Sequence, residues 1–418
     1  MSINIIGGGL AGCEAAYQVA KRGIKVNLYD MKPNKKSPAH HSDKLCELVC
    51  SNSLKAARKE SAAGMLKEEM RMLDSLLMKC ADKSKVPAGG ALAVDREIFS
   101  NLVNDEINNN PNITVINEEV TEIPDGITII ASGPLTSDLL YDKIKTMFGD
   151  SLSFYDAAAP IVKFDTVDMN KAFFASRYDK GDGDDYINCP MNKEEYDNFY
   201  EALVSAERAP VHDFDVMNPK VYEGCMPIEV MAQRGHDTIR FGPMKPVGLK
   251  DPRTGHRPWA VVQLRKENSA GIMYNLVGFQ TNLKFPEQKR VFSMIPGLEN
   301  AEFVRYGVMH RNTFIDSPRI LNSDYSVREN KKLFFAGQIT GVEGYMESAS
   351  SGLMAGINAA MRYIGEQTVT LPEYTMIGSL SRYISDETVS KFQPMGANLG
   401  VLPELEQRPR DKKERAEA

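Results

Sequence analysis

The apolar residues of this chain fall into short runs punctuated by glycine, and three of those runs predict strand and turn units. Residues 3–30, INIIGGGLAGCEAAYQVAKRGIKVNLYD, read as an apolar strand, a glycine turn, a helix, a glycine stop, a second strand and a closing acid. Residues 128–134, TIIASGP, predict a buried strand ending in a small-residue turn at Gly133. Residues 333–360, LFFAGQITGVEGYMESASSGLMAGINAA, predict a strand delivering Gly337, then a glycine-rich entry to a small-residue helix that Gly352 and Gly356 allow to pack closely. From about 155 to 305 the pattern shifts to short strands mixed with turns. No apolar run reaches the ~18 residues of a membrane span, and the first run is too short and uncharged at its start to be a secretory signal. A cytoplasmic location is therefore expected.

Gly7, Gly9 and Gly12, with Gly8, Leu10 and Ala11 between them, form G-x-G-x-x-G at the junction of the first strand and helix. Chemistry explains the glycines: a tight turn, close approach to a pyrophosphate, and tight packing of helix on strand. Asp30 would end the second strand and accept a hydrogen bond from a ribose hydroxyl. NAD and FAD share this fingerprint, and the two later segments favour FAD. Gly341 and Gly344 would leave backbone N–H groups facing a phosphate or a flavin carbonyl, with Gly337 and Gln338 at the strand end. A plain strand-helix unit with small residues for packing is the competing reading of that segment. The expected fold is α/β: a Rossmann-like FAD-binding domain in two parts, 1–154 and 306–402, with a mixed α+β domain inserted at 155–305 and a flexible tail at 403–418. No second G-x-G-x-x-G occurs, so NAD(P)H would visit the flavin without a Rossmann domain of its own.

At 418 residues, the chain is long enough for two or three domains with real cores. Apolar content of 42% and charged content of 25% are ordinary for a soluble globular protein. The net charge of −6 offers no global sign of a nucleic-acid binder, so that role would need a local basic face. Cys13, Cys46, Cys50, Cys80, Cys189 and Cys225 are scattered as reduced thiols would be, and no Cys or His cluster has zinc spacing, so no metal is expected. Cys46 and Cys50 are four apart and would share a helical face if their segment were helical. Residues alone leave three readings of Cys50 open: a space filler, half of a strained bridge to Cys46, or a site thiol. His40 and His41, just upstream, read equally as exposed loop residues or as holders of a ligand.

PMKPVGLKDPRTGHRPWAVVQLRK (243–266) sets Lys245, Lys250, Arg253, Arg257, Arg265 and Lys266 around Trp259, with Asp251 the sole acid. Two readings stand: cations for phosphates with an aromatic for a base or pterin, or a hairpin with a DPRTGH turn and a solvated face. DKGDGDDY (179–186) lacks the spacing and glutamate of an EF-hand and reads as a solvated turn. RPRDKKERAEA (408–418) reads as a frayed tail.

These segments, together with PAHHSDKLCELVCSNSL (38–54), GMLKEEMRMLDSL (64–76), VPAGGALAVDRE (86–97), FYDAAAPIV (154–162), SRYDKG (176–181), EGCMPIEVMA (223–232), FGPMKPVGL (241–249) and RYGVMHRNTFI (305–315), closely resemble the folate- and FAD-dependent tRNA (uracil-5-)-methyltransferase family, TrmFO. The likeness runs to about FQPMGANLG (392–400). A larger related family, the MnmG (GidA) tRNA-modifying flavoproteins, has a similar FFAGQ…GY…ESA segment.

The resemblance implies FAD as cofactor, methylenetetrahydrofolate and NAD(P)H as co-substrates, and a methyl group delivered to C5 of the T-loop uridine (position 54) in the T-arm of tRNA. It implies no membrane or DNA partner. Ribosomal RNA as target, and wobble-uridine modification of the MnmG kind, stay open beside it, as do an ordinary FAD oxidoreductase and a non-catalytic RNA-binding module. C5 of uracil is a poor nucleophile until a group adds to C6, a task that suits a thiolate. The two family cysteines fall on Cys225 and Cys50. Cys225 is assigned as the nucleophile, because Gly224 and Pro227 set it in a turn, and Cys50 as the acid/base or flavin-side thiol. Glu223 opposes activation of Cys225 unless Arg234 or Lys245 offsets it.

Overall fold

The computed structural model describes residues 2–37, 39–149, 152–179, 185–210 and 226–404. Cys225 with Glu223 and Gly224, most of the 179–186 turn, and the tail beyond 404 lie outside the described residues.

Apolar strands with no polar alternation need cover on both faces, and a parallel sheet between helices provides it. Three such strands, Leu333–Phe335, Thr128–Ile130 and Ser2–Ile6, pair in parallel in that order, and the less apolar Lys25–Asp30 and Ile113–Asn117 continue the sheet beyond Ser2–Ile6. The outermost, Leu333–Phe335, comes from far along the chain and adds to Thr128–Ile130 in register. Helix Leu10–Ala20 packs on this sheet, and helix Tyr345–Tyr363 packs on that helix. The small-residue pattern explains how closely: a Cβ at Gly352 would stand 2.1 Å from the carbonyl oxygen of Ala11, so only glycine lets the two backbones meet.

The middle of the chain builds a six-stranded antiparallel sheet, ordered Phe173–Phe174, Tyr186–Met191, Ala260–Lys266, Met273–Leu276, Ile161–Lys163, Phe303–Arg305. Its separate core gathers Tyr196, Phe199, Phe279 and Phe292, all fully buried, under helices Lys193–Val204 and Phe285–Phe292. Helix Lys193–Val204 starts with a capping box in which Asn192 and Glu195 satisfy each other's backbone N–H groups. The chain reaches and leaves this sheet through strands Leu152–Ala157 and Met309–Phe314, which pair antiparallel. A small three-stranded sheet, Ser53–Ala56, Ala91–Val94 and Lys85–Val86, is inserted in sequence between the parallel strands Lys25–Asp30 and Ile113–Asn117 and leads into helix Arg96–Asn108.

Polar side chains join the two large regions. Ser269 donates from its N–H and its hydroxyl to Asp95, at 2.8 and 2.9 Å, and Asn52 donates to the carbonyl of Lys266 at 2.9 Å. Asp95 also caps helix Arg96–Asn108, so one buried carboxylate serves both a helix start and the junction. No helix among the described residues is long and apolar enough to cross a membrane.

Candidate active site

Where the first strand meets its helix, the backbone turns so sharply that side chains have no room. Gly7 has φ of 107°, and a Cβ on Gly12 would fall 1.8 Å from the Gly7 carbonyl oxygen. Gly9 is the N-cap, no side chain caps the helix, and nothing lies within 4 Å of where a Gly9 Cβ would be. The first-turn N–H groups therefore open onto a cleft of about 1080 Å³. Gly7, Gly8, Gly9, Leu10, Ala11, Asp30, Gly133, Gly337 and Gln338 all line this cleft, as do His40, Glu47, Val49, Tyr345 and Ser348. A helix N-terminus with no side-chain cap, facing a space walled in part by glycine, suits the diphosphate of a dinucleotide such as FAD.

Asp30 does more than face a ribose. Its two oxygens accept from the N–H groups of Gly8 and Lys32, each at 2.8 Å, so it first closes the glycine turn, and the residue also lines the cleft. Gly341 departs from the expectation that its N–H faces a ligand. That N–H donates to the Gln338 carbonyl at 2.9 Å, closing a tight turn, and neither Gly341 nor Gly344 is on the cleft wall. Gly12 likewise packs behind the wall. Gln338 donates to Glu343, and the Gly337 N–H donates to Ser351 at 2.6 Å. His40 is on the wall, its ring bonded to Ser37 at 2.6 Å, and burial followed by nearby Lys32 lowers its pKa.

Cys50 is half-buried in the loop after Asp30, beside this cleft. Its N–H and that of Ser51 donate to the Tyr345 hydroxyl, at 2.7 and 3.2 Å, and Tyr345 itself lines the cleft. The loop is not helical, so Cys46 and Cys50 share no helical face. Cys46 is a free thiol, fully buried at φ of 57°, and its N–H donates to the Gly8 carbonyl at 2.9 Å. No disulfide joins Cys46 to Cys50, and Cys46 packs under the glycine turn, where burial pushes its thiol well up.

Sequence reasoning missed the side chains that hold the Cys50 loop. Arg96 donates to the carbonyls of Leu48 and Cys50 and forms a two-pronged ion pair with Glu267, at 2.7 and 3.4 Å. Arg305 donates to the Val49 carbonyl at 2.6 Å. Arg265 donates to the Ser51 hydroxyl at 2.9 Å and to the Asn52 side-chain amide oxygen at 3.1 Å. The signals were thin: Arg96 follows an N-cap aspartate in a segment that reads as a helix start, and Tyr345 is the aromatic after a glycine.

Arg265 also divides the 243–266 stretch. It is buried, on a strand that is buried almost throughout, and serves no outer surface. Arg253 is paired with Asp251 at 2.8 Å inside the turn, while Lys245, Lys250 and Arg257 are exposed. The Trp259 ring packs on the second core and carries the Arg240 guanidinium 3.7 Å from its centroid, so that face is already covered.

A parallel sheet with an open glycine turn, a second sheet beside it and a cysteine loop at their junction define a dinucleotide-binding α/β protein with a thiol next to its cofactor cleft. Residues 2–367 match the family model described as glucose inhibited division protein A. The fold is that of Aquifex aeolicus GidA, with a TM-score of 0.72 at 17% identity over 94% of this chain and 68% of that one. Two relatives named methylenetetrahydrofolate–tRNA-(uracil-5-)-methyltransferase TrmFO are far more similar. That of Acetivibrio thermocellus is 62% identical over 99% of this chain and 94% of its own length, and that of Bacillus pumilus 60% over 99% and 95%. The chain belongs to the TrmFO family.

Proposed function

We propose that this chain methylates C5 of a uridine in tRNA, taking the carbon from methylenetetrahydrofolate and the electrons from NAD(P)H, and that the uridine is the T-loop residue of the T-arm. The observation that carries the reading is the contact between cofactor cleft and thiol loop: Tyr345 lines one and holds the backbone of the other. FAD held in this cleft would supply the redox and one-carbon carrier chemistry. Gly9, Leu10 and Ala11 would take its diphosphate at the helix start, with Asp30 at the ribose.

The remaining tasks fall to sulfur and to proton transfer. Cys225 is assigned to add to C6, which turns the ring into an enolate able to take a carbon at C5; elimination of the sulfur later restores the double bond. The C5 proton must leave to a base within reach, and Cys50 is assigned that role as thiolate. A T-loop base is stacked inside folded RNA, so it must be drawn out, at a cost of a few kcal/mol, before either thiol reaches it.

The test incubates the protein with FAD, NAD(P)H, methylenetetrahydrofolate and a uridine-containing T-arm RNA, then measures 5-methyluridine by mass spectrometry. Product at the T-loop position supports the reading. Intact RNA and fully loaded flavin with no product would remove it, and product only on a ribosomal RNA fragment would redirect it.

A further inference from the structure

We propose that Arg96, Arg265 and Arg305 are positioning residues that clamp the 48–52 loop and keep Cys50 as a thiolate at neutral pH. This rests on the reading of Cys50 as a site thiol. Every residue from 48 to 52 is gripped from outside the loop. Arg96 takes the carbonyls of Leu48 and Cys50, Arg305 that of Val49, Tyr345 the N–H groups of Cys50 and Ser51, and Arg265 the side chains of Ser51 and Asn52. Asn52, fully buried, adds donors to the carbonyls of Val94 and Lys266, at 3.0 and 2.9 Å. So dense a set of anchors on a loop that neither helix nor strand requires is costly in side-chain entropy unless position matters.

The charges do not balance without the sulfur. Among the described residues, the charged or titratable groups facing Cys50 are Arg96 at its helix start, Arg265 and Glu267 at the strand end, Arg305 on the outer strand, Tyr345 across the cleft and Glu47 in the loop itself. Tyr186 stands behind Arg265. Three guanidiniums face two carboxylates, and guanidinium does not give up its proton. Arg265 is buried, and Arg96 and Arg305 are half-buried at the wall of a cleft, so an excess of cations here favours an anion joining them. Burial is the largest influence on all three arginines and lowers each; it prevails at Arg265 and Arg305, while Glu267 carries Arg96 upward, and Cys50 acts on all three against burial. The Cys50 sulfur is 3.8 Å from the Ala157 carbonyl oxygen, a weak contact that only the protonated thiol can donate; a sulfur anion gives it up and supplies the missing charge. The loop also separates two clefts, since Glu47 lines the cofactor cleft and a second one of about 990 Å³ walled by Leu48, Arg96 and Arg305. Arg96 and Arg305 thus reach the loop from the second cleft, while Tyr345 holds it from the cofactor cleft.

Peptide-resolved alkylation by iodoacetamide across pH, on the full FAD-loaded chain, reads the Cys50 titration directly and needs no methyl transfer. A failed proposal is therefore distinguishable from a failed function. The native midpoint is expected at least about one unit below the ordinary thiol value of ~8.5. Arg305→Gln and Arg265→Gln should each raise it by about one unit, roughly a tenfold slower reaction near neutrality, and Arg305→Lys should restore the native midpoint. A native midpoint at or above ~8.5 overturns the proposal whether or not the variants fold. Glutamine variants that titrate like the native protein with flavin bound, or a lysine variant displaced as far as the glutamine one, overturn it equally.

Discussion

The glycine turn at 7–12 and the thiol loop at 48–52 lie on one side of the molecule and are held in opposite ways. The turn is made by backbone: missing side chains let it fold on itself, and its partners are main-chain groups plus one aspartate. The loop is made by side chains, three guanidiniums and a phenol from four distant parts of the chain. A site built from absent atoms is damaged by adding them. One built from long side chains is damaged by removing a charge.

Four substitutions separate the two modes. The largest effect is expected for Glu267→Gln. It strands Arg96, whose ion pair is buried on the glutamate side, and should cost about 3–5 kcal/mol in the unfolding transition of the junction. Flavin content at low temperature should be retained, since no glycine is touched; denaturant melts and absorbance check both. Gly352→Val has the reverse signature. Its new Cβ meets the Ala11 carbonyl at 2.1 Å and forces the two helices apart, at ~1–3 kcal/mol, with FAD lost in the same measurements. If it keeps its flavin, the turn holds without the close packing of the two helices.

Lys67 sharpens the side-chain half. It is buried and donates to the Leu54 carbonyl at 2.8 Å just past the loop; burial, partly opposed by Glu347, lowers its pKa to about 8 from 10.5. Because the unfolded chain then binds more protons than the folded one, stability rises with pH between about 8 and 10.5. Lys67→Met should abolish that rise, seen as a melting temperature that no longer climbs relative to native across this window. The smallest effect is expected for Trp259→Phe, about 0.5–1 kcal/mol from a weaker Arg240 stack. RNA binding, measured by filter retention, should not change. A marked loss there would return Trp259 to the surface role its basic neighbourhood suggests.

The two halves were unequally legible. Glycine spacing is a direct trace of backbone shape, so the turn, its strand and its helix could be read without knowing what packs on them. Asp30 was placed at the cleft, but its bonds to Gly8 and Lys32 depend on how the second strand folds back, and the Gly341 N–H was misjudged because a tight turn consumed it locally. Arg265 was read as one cation of a basic surface because a run of charges in sequence carries no mark of which strand face is covered.

The sequence by itself determined the dinucleotide turn, the α/β class and the family, because these depend on local backbone geometry and on motifs within short windows. Only the tertiary structure decided which charges reach Cys50. Residues 96, 265, 305 and 345 have no local reason to meet, and they do so because two differently built sheets are docked with that loop between them.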